Sequence, residues 1–278
     1  MFTVGKPSRN SIIFTYAVGG LALLLFLFPV FWMALTSFKN TGQAFTSKPV
    51  WFFRPTLQNY REVLVERNFI DYLSNSILIG VIATLATLVL AVSVAYPLAR
   101  YSPRGEKQIA SWILSLRIIP PIVSVIPLYI VFSNLNLVDR HPALIIMYTF
   151  MNLPLAVWML RGFFAEVPRE LEEASLVDGN TYLGTFVRVV LPLVAPGLVS
   201  TGMLALIFCW NEFLFANVLT AARAKTAPVG LTEYATPTGV LWTQIMAAGT
   251  VVVLPVMVAG AFIQRFLVRG LAAGAVKG

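Results

Sequence analysis

The sequence predicts an all-α integral membrane protein with six transmembrane helices, and three observations carry that prediction. Apolar residues make up 58% of the 278-residue chain and charged residues only 12%, about half the charged share of a soluble domain. Six apolar stretches are each long enough to cross a hydrocarbon core of roughly 30 Å, which takes about 20 helical residues. The alternating ten-residue pattern of an outer-membrane barrel does not occur in the sequence. The same composition excludes disorder, collagen-like repeats, disulfide scaffolds and nucleic-acid-binding modules. The net charge of +8 suits loops beside a membrane, which carry excess Lys and Arg. Cys209 and His141 each stand alone in the sequence, so neither an internal disulfide nor a histidine metal site is expected.

The first stretch, Ile12–Thr36, follows Lys6 and Arg9. It exceeds a normal signal-peptide core and no small-x-small cleavage site follows, so it reads as an uncleaved anchor. The second and third are Asn75–Ala99 and Ile109–Phe132, separated by the basic turn Arg100–Gln108. The fourth is Pro142–Leu160, which contains Asn152, the fifth Gly197–Leu219 and the sixth Val240–Ile263. With both ends on one side, that side holds eleven basic residues and the other eight. The three basic residues of the turn after the second stretch decide the orientation, since the rule is strongest near the first spans. Both termini are therefore expected in the cytoplasm.

Only two charges fall inside the stretches, Arg117 and Glu212. An ionisable residue in a bilayer is costly and marks a functional candidate. At 1.5 Å per residue their backbones differ in height by roughly 8 Å, so the sequence does not establish a pair. Two roles fit Arg117: lining a translocation cavity, or bonding carbonyls freed around Pro120 and Pro121. Two also fit Glu212 with Trp210 and Asn211. They offer hydrogen-bonding groups beside an indole, as sugar hydroxyls require, or they join helices as polar glue. Prolines 29, 97, 120, 121, 127, 154 and 255 punctuate the stretches, as in helices broken for transport or kinked for packing.

Outside the bilayer, the external loop Ser37–Tyr72 is rich in aromatics, either an interfacial belt or a docking surface, and Thr220–Gly239 forms a second external loop. The long cytoplasmic loop Arg161–Pro192 is the most informative segment. Pro168 suits a first helical turn, acids crowd the N-terminal half, and Gly179 suits a left-handed stop. A helix of about ten residues is expected there, too short to be stable alone in water. Its Leu171, Ala174, Leu176 and Val177 need a surface, and four acids within Glu166–Glu173 disfavour an anionic leaflet. A groove on another protein is the better host.

Glu173-Ala174-Ser175, then Asp178-Gly179, then Leu191-Pro192 resembles the EAA loop of ABC importer permeases, with Ser175 departing from alanine in the third position. That small-for-small change is expected to leave packing unaltered. The resemblance places an EAA loop at about residues 166–192 and implies that Leu171, Glu172, Glu173, Ala174, Ser175, Asp178 and Gly179 couple the chain to a cytoplasmic ATPase. Phe38-Lys39, Leu57-Gln58-Asn59-Tyr60, Ile126-Pro127-Leu128-Tyr129, Trp210-Asn211-Glu212-Phe213 and Gly270-Leu271 with Gly274 to Gly278 resemble the maltose-type branch, permeases for sugars and polyols. The resemblance covers nearly the whole chain. It implies one permease domain over residues 1–278 with the type I ABC importer fold, multi-pass in a bacterial cytoplasmic (inner) membrane. Implied partners are membrane lipid, a second permease subunit forming a heterodimer, two copies of an ABC ATPase that carry ATP and Mg, and a periplasmic or lipid-anchored substrate-binding protein. The chain itself is expected to be no enzyme and to bind no cofactor, metal or nucleic acid. Arg117, Asn152, Trp210, Asn211 and Glu212 are the candidate cavity residues. The tail Ala272–Gly278 is expected not to fold alone: it is either a frayed end or, as the family match implies, a contact of Ala275, Val276, Lys277 and Gly278 with the ATPase.

The sequence has no GxxxxGK[ST] phosphate loop, so energy must come from a partner. An ion channel or ion-coupled carrier would call for more intramembrane acids, a carbonyl filter or an internal repeat. A membrane enzyme lacks a nucleophile-base set. The remaining alternative is an importer of glycerol phosphate or another non-sugar solute.

Overall fold

The computed structural model describes residues 9–44, 46, 48–101, 105–237 and 239–275, without the side chains of 107 and 261–275. In chain order the helices are α1 (Arg9–Ser37), α2 (Thr41–Ala44), α3 (Gln58–Arg61), α4 (Phe69–Tyr101), α5 (Glu106–Ser115), α6 (Pro121–Asn134), α7 (His141–Glu166), α8 (Arg169–Val177), α9 (Tyr182–Thr185), α10 (Leu191–Asn211), α11 (Leu214–Leu219) and α12 (Ala227–Gly230). Strands β1 (Ala235–Thr236) and β2 (Gly239–Val240) precede α13 (Trp242–Ala275). They pair antiparallel, Ala235 with Val240 and Thr236 with Gly239, a two-residue ladder in an otherwise helical chain. Among the described residues, five segments can each cross a membrane alone: Arg9–Ser37, Phe69–Tyr101, His141–Glu166, Tyr182–Asn211 and Trp242–Gly260.

The expected third span is not one helix. Gln108–Ile118 and Pro121–Asn134 meet at a bend of 86°, so the sixth crossing exists only if this bent pair counts as one span. Ile119 and Pro120 are extended, with ψ of 121° and 124°. Two consecutive prolines supply no N–H, and each disfavours helix in the residue before it. The fifth span is broken as well: α10 stops at Asn211, Glu212 is extended at ψ 125°, and α11 restarts at Leu214. It also begins earlier than expected, at Tyr182, through a wide π turn at Phe186–Val190. The sixth helix starts at Trp242 because Val240 is committed to the ladder.

The chain forms two compact units. The first takes the chain up to Phe69 together with Glu233–Val253. Here α1 leaves Tyr16, Leu24 and Phe26 exposed, an apolar surface that lipid or a partner must cover. Its C-terminal end is held by the loop that follows it. The Asn59 amide donates to the carbonyls of Ser37 and Lys39 at 2.7 and 2.8 Å; the first is one of the groups a helix end leaves without partners. Tyr60 Oη meets Ser37 Oγ at 2.7 Å, and the Lys39 ammonium lies 4.2 Å from the Trp32 ring centre. The aromatics of this loop divide: Phe69 is buried, whereas Phe52 is 97% exposed.

The second unit takes Ile70–Thr232 and the chain from Leu254 onward. It holds two apolar clusters at different heights. One joins Ile79 and Ala83 of α4, Leu144 and Tyr148 of α7 and Cys209 of α10; the other joins Ala91, Ala95, Val157, Leu160, Val190 and Val194. Ascending numbers in α4 and α7 match descending ones in α10. The first two therefore run parallel and the third opposite, as alternating spans require. Small residues let the backbones approach: a Cβ on Gly197 would sit 2.4 Å from the Phe163 ring.

Residues after α11 are strapped to the ends of α4 and α7. The Asp139 carboxylate accepts the backbone N–H groups of Ala221, Ala222, Arg223 and Ala224 at 2.9–3.2 Å. Burial raises its pKa, but those four donors prevail and hold it below the ordinary 3.8. Asn75 donates to the carbonyls of Arg223 and Lys225, both at 2.9 Å, and accepts from His141 Nε2 at 2.7 Å.

Candidate functional site

Helix α8 is built from its two ends. Pro168 stands at the N-cap, one position before the helix rather than inside its first turn, with Glu170 and Glu172 in that turn, where acids favour the helix dipole. At the other end Gly179 adopts φ +88°. Its N–H bonds the Leu176 carbonyl at 3.1 Å and Asn180 N–H bonds that of Ser175 at 3.1 Å, the two bonds of a Schellman stop. A Cβ on Gly179 would touch nothing within 4 Å. The glycine is required by its backbone angle and not by crowding.

The helix presents two faces. Glu172 and Ser175 point inward. Glu172 pairs with Arg100 Nε at 2.5 Å and accepts from Tyr96 Oη at 3.0 Å. Ser175, which departs from the family pattern, is 6% exposed and hydrogen-bonds Thr185 Oγ1 at 3.0 Å. The substitution thus adds a polar link beyond a small-for-small exchange. Leu171, Glu173, Ala174, Val177 and Asp178 face outward, Val177 being 87% exposed. Nearby Arg161 pairs with Glu106, joining α5 to α7.

The second feature is a cavity of about 490 Å³ lined by Arg117, Ser124, Tyr148, Asn152, Phe208 and Glu212 among others. The breaks in the helices create it. Arg117 occupies a tight 3₁₀ turn at the 86° bend, and its guanidinium lies 4.4 Å from the Phe208 ring centre, a cation–π contact. Glu212 sits in the gap before α11, where its carboxylate accepts Phe215 N–H at 2.9 Å and Ala216 N–H at 3.1 Å. Those are first-turn donors of a helix, which lack intrahelical partners. Asn152 donates to Tyr148 O at 2.9 Å and Cys209 Sγ at 3.3 Å.

Of the five candidate cavity residues, the structure brings three together. Arg117 and Glu212 share the cavity without an ion pair within 4 Å, and Asn152 joins them. Trp210 is buried against a smaller apolar recess with Leu206, Pro255 and Val256, and Asn211 is exposed, its amide donating to Ile207 O at 2.8 Å. Sequence reasoning does not single out Tyr148 and Phe208; Tyr148 lies four residues before Asn152 on the same face of α7, whereas Phe208 precedes Glu212 across the end of α10. Val276, Lys277 and Gly278 lie outside the described residues. Ala275 ends α13, so the backbone is helical through Ala272–Ala275.

Residues 87–273 match the family described as binding-protein-dependent transport system inner membrane component. The chain belongs to this family. Its α8, Arg117, Asn152 and Glu212 all fall inside the matched region, whereas the Lys39–Asn59 clamp lies outside it. The chain is 37% identical to the diacetylchitobiose uptake system permease protein of Streptomyces coelicolor, over 92% of this chain and 95% of that one. It is 35% identical to the trehalose/maltose transport system permease protein of Thermococcus litoralis, over 93% and 94%. The crystal structure of a bacterial ABC transporter involved in import of the acidic polysaccharide alginate shares the fold. It has a TM-score of 0.75 at 23% identity, covering 94% of this chain and 99% of that one. The chain is thus a multi-pass permease component of the inner membrane with the type I importer fold.

Proposed function

We propose that this permease moves a sugar, sugar derivative or polyol into the cytoplasm as one half of a heterodimeric ABC importer. The observation that carries the substrate class is its 35–37% identity, over more than nine-tenths of the chain, to permeases named for disaccharide uptake. The cavity supports it: aromatic faces at Phe208 and Tyr148 stand beside hydrogen-bonding groups at Asn152, Ser124 and Arg117, the mix that carbohydrates require. A cytoplasmic ATPase carrying ATP and Mg docks on the outward face of α8 and supplies the energy. An external binding protein delivers the solute, in keeping with the family's description, and both termini lie in the cytoplasm.

Arg117 favours one refinement. No carboxylate among the described residues pairs with it, and Glu212 is engaged by two amides, so an acidic sugar derivative would find a cation held only against the Phe208 ring. The test is uptake by the reconstituted complex of labelled neutral sugars and of their acidic counterparts, with Arg117 intact and with Arg117→Gln. Transport of neutral sugars by both forms supports the main reading. Loss of acidic-substrate transport alone in Arg117→Gln supports the refinement. Transport of neither class overturns the carbohydrate assignment.

A further inference from the structure

We propose that Glu172 is the positioning residue that fastens α8 to the second span, so that displacement of α8 is passed to α4 through its carboxylate. The proposal rests on the reading of α8 as the ATPase-facing helix. Apolar packing does not hold α8 in place. It has only nine residues, Leu171 and Val177 point away from the chain, and Leu176 alone of its larger apolar residues is half-buried. A helix of that length is marginal by itself. Its attachments are polar.

Glu172 provides two of them, and both go to one helix face. Tyr96 and Arg100 are four residues apart on α4, one above the other. The carboxylate accepts from Tyr96 Oη at 3.0 Å and pairs with Arg100 Nε at 2.5 Å. The Arg100 side chain is 7% exposed and that of Glu172 15%, so water does not screen the pair as it does surface pairs. Removing one partner leaves the other buried and uncompensated. Arg169 adds a third link, donating to the Arg100 carbonyl at 3.0 Å. That carbonyl belongs to the last turn of α4, where partners are lacking. Tyr96 is itself anchored: its ring lies 5.4 Å from Phe164 at the end of α7 and 4.6 Å from Phe186 in the π turn leading to α10. A pull on Glu172 therefore reaches the ends of the spans that line the cavity. Ser175 holds the other flank through Thr185 at the start of the fifth span, by a neutral hydroxyl pair.

The test uses the assembled complex of both permease chains, ATPase and binding protein in proteoliposomes. Sugar moved is read per ATP hydrolysed for Glu172→Gln, for Arg100→Glu, and for the swap Arg100→Glu with Glu172→Arg. Glu172→Gln keeps the shape and the outward face, so the ATPase should still co-purify. Sugar moved per ATP should fall about tenfold or more, the scale of leaving one partner of a buried ion pair uncompensated, and the swap should recover much of it. Wild-type coupling in Glu172→Gln overturns the proposal. So does loss of assembly that the swap leaves unrepaired, which would make Glu172 a folding residue only. Val177→Asp tests the docking reading separately: it should abolish ATPase co-purification, and retention of the ATPase would refute docking whatever Glu172→Gln does.

Discussion

Replacing Glu212 probes the break in the fifth span and the cavity together. Its two carboxylate oxygens take the N–H groups of Phe215 and Ala216, and both residues are buried. Glu212→Leu removes both acceptors, and each orphaned donor costs about 1–3 kcal/mol. Water reaching the open cavity reduces that sum, so about 2 kcal/mol is the expected loss, a factor of roughly 30 in an equilibrium or a rate. Glu212→Gln keeps one acceptor oxygen and should lose about 1 kcal/mol. The assays are thermal melting of the purified complex and sugar uptake normalised to assembled complex. The expected order is wild type, then Gln, then Leu in both, with solute affinity of the isolated binding protein unchanged. A Glu212→Leu complex that melts like wild type would refute the amide-holding role. Equal normalised uptake would remove Glu212 from the substrate path.

Four further outcomes follow from the same geometry. Gly197→Ala places a Cβ against the Phe163 ring at 2.4–2.8 Å and should destabilise the packing of α10 on α7 by about 1–3 kcal/mol, read as a lowered melting temperature. Gly179→Val meets no neighbour, so its cost is the left-handed backbone angle, about 1–2 kcal/mol. ATPase assembly or coupled uptake should fall while membrane insertion persists, and normal uptake would refute the coupling assignment. Ser175→Ala should loosen the flank bonded to Thr185 by about 1 kcal/mol, seen as faster amide exchange across 175–180. Asp139 has a depressed pKa, so its stabilisation is complete above the unfolded value and disappears as pH falls through the lower folded one. Protection of the Ala221–Ala224 amides should therefore persist at neutral and mildly acidic pH and be lost below about 3.8. Asp139→Asn should weaken it at all pH values, and a pH-independent profile in the wild type would refute the assignment.

The positions of the spans were legible because they depend on one-dimensional quantities. Runs of apolar residues long enough to cross a bilayer and the residues that stop helices act over a few neighbours, and Pro168 and Gly179 bracket α8 nearly as the local rules require. The EAA-like spacing was legible for the same reason. The proline pair at 120–121 announced a disturbance in the third span, but not a bend of 86°, because the angle depends on what packs on either side. The break at Glu212 carried no proline or glycine. It exists because a carboxylate can replace the helix's own carbonyls as acceptor for Phe215 and Ala216, an exchange visible only when the atoms are placed.

The sequence by itself determined that the chain is a helical membrane protein, where its long apolar segments lie, and which loop carries the EAA-like helix α8. Hydrophobicity, helix ends and motif spacing are local properties. Only the tertiary structure decided that Arg117, Asn152 and Glu212 share one cavity while Trp210 and Asn211 face elsewhere. It also decided that Glu172 turns inward to Tyr96 and Arg100 while Glu173 turns out. Adjacent residues on a helix point about 100° apart, so which of two neighbouring glutamates meets a partner depends on the rotation of the helix against its neighbours. Contacts between residues 72 and 76 positions apart set that rotation.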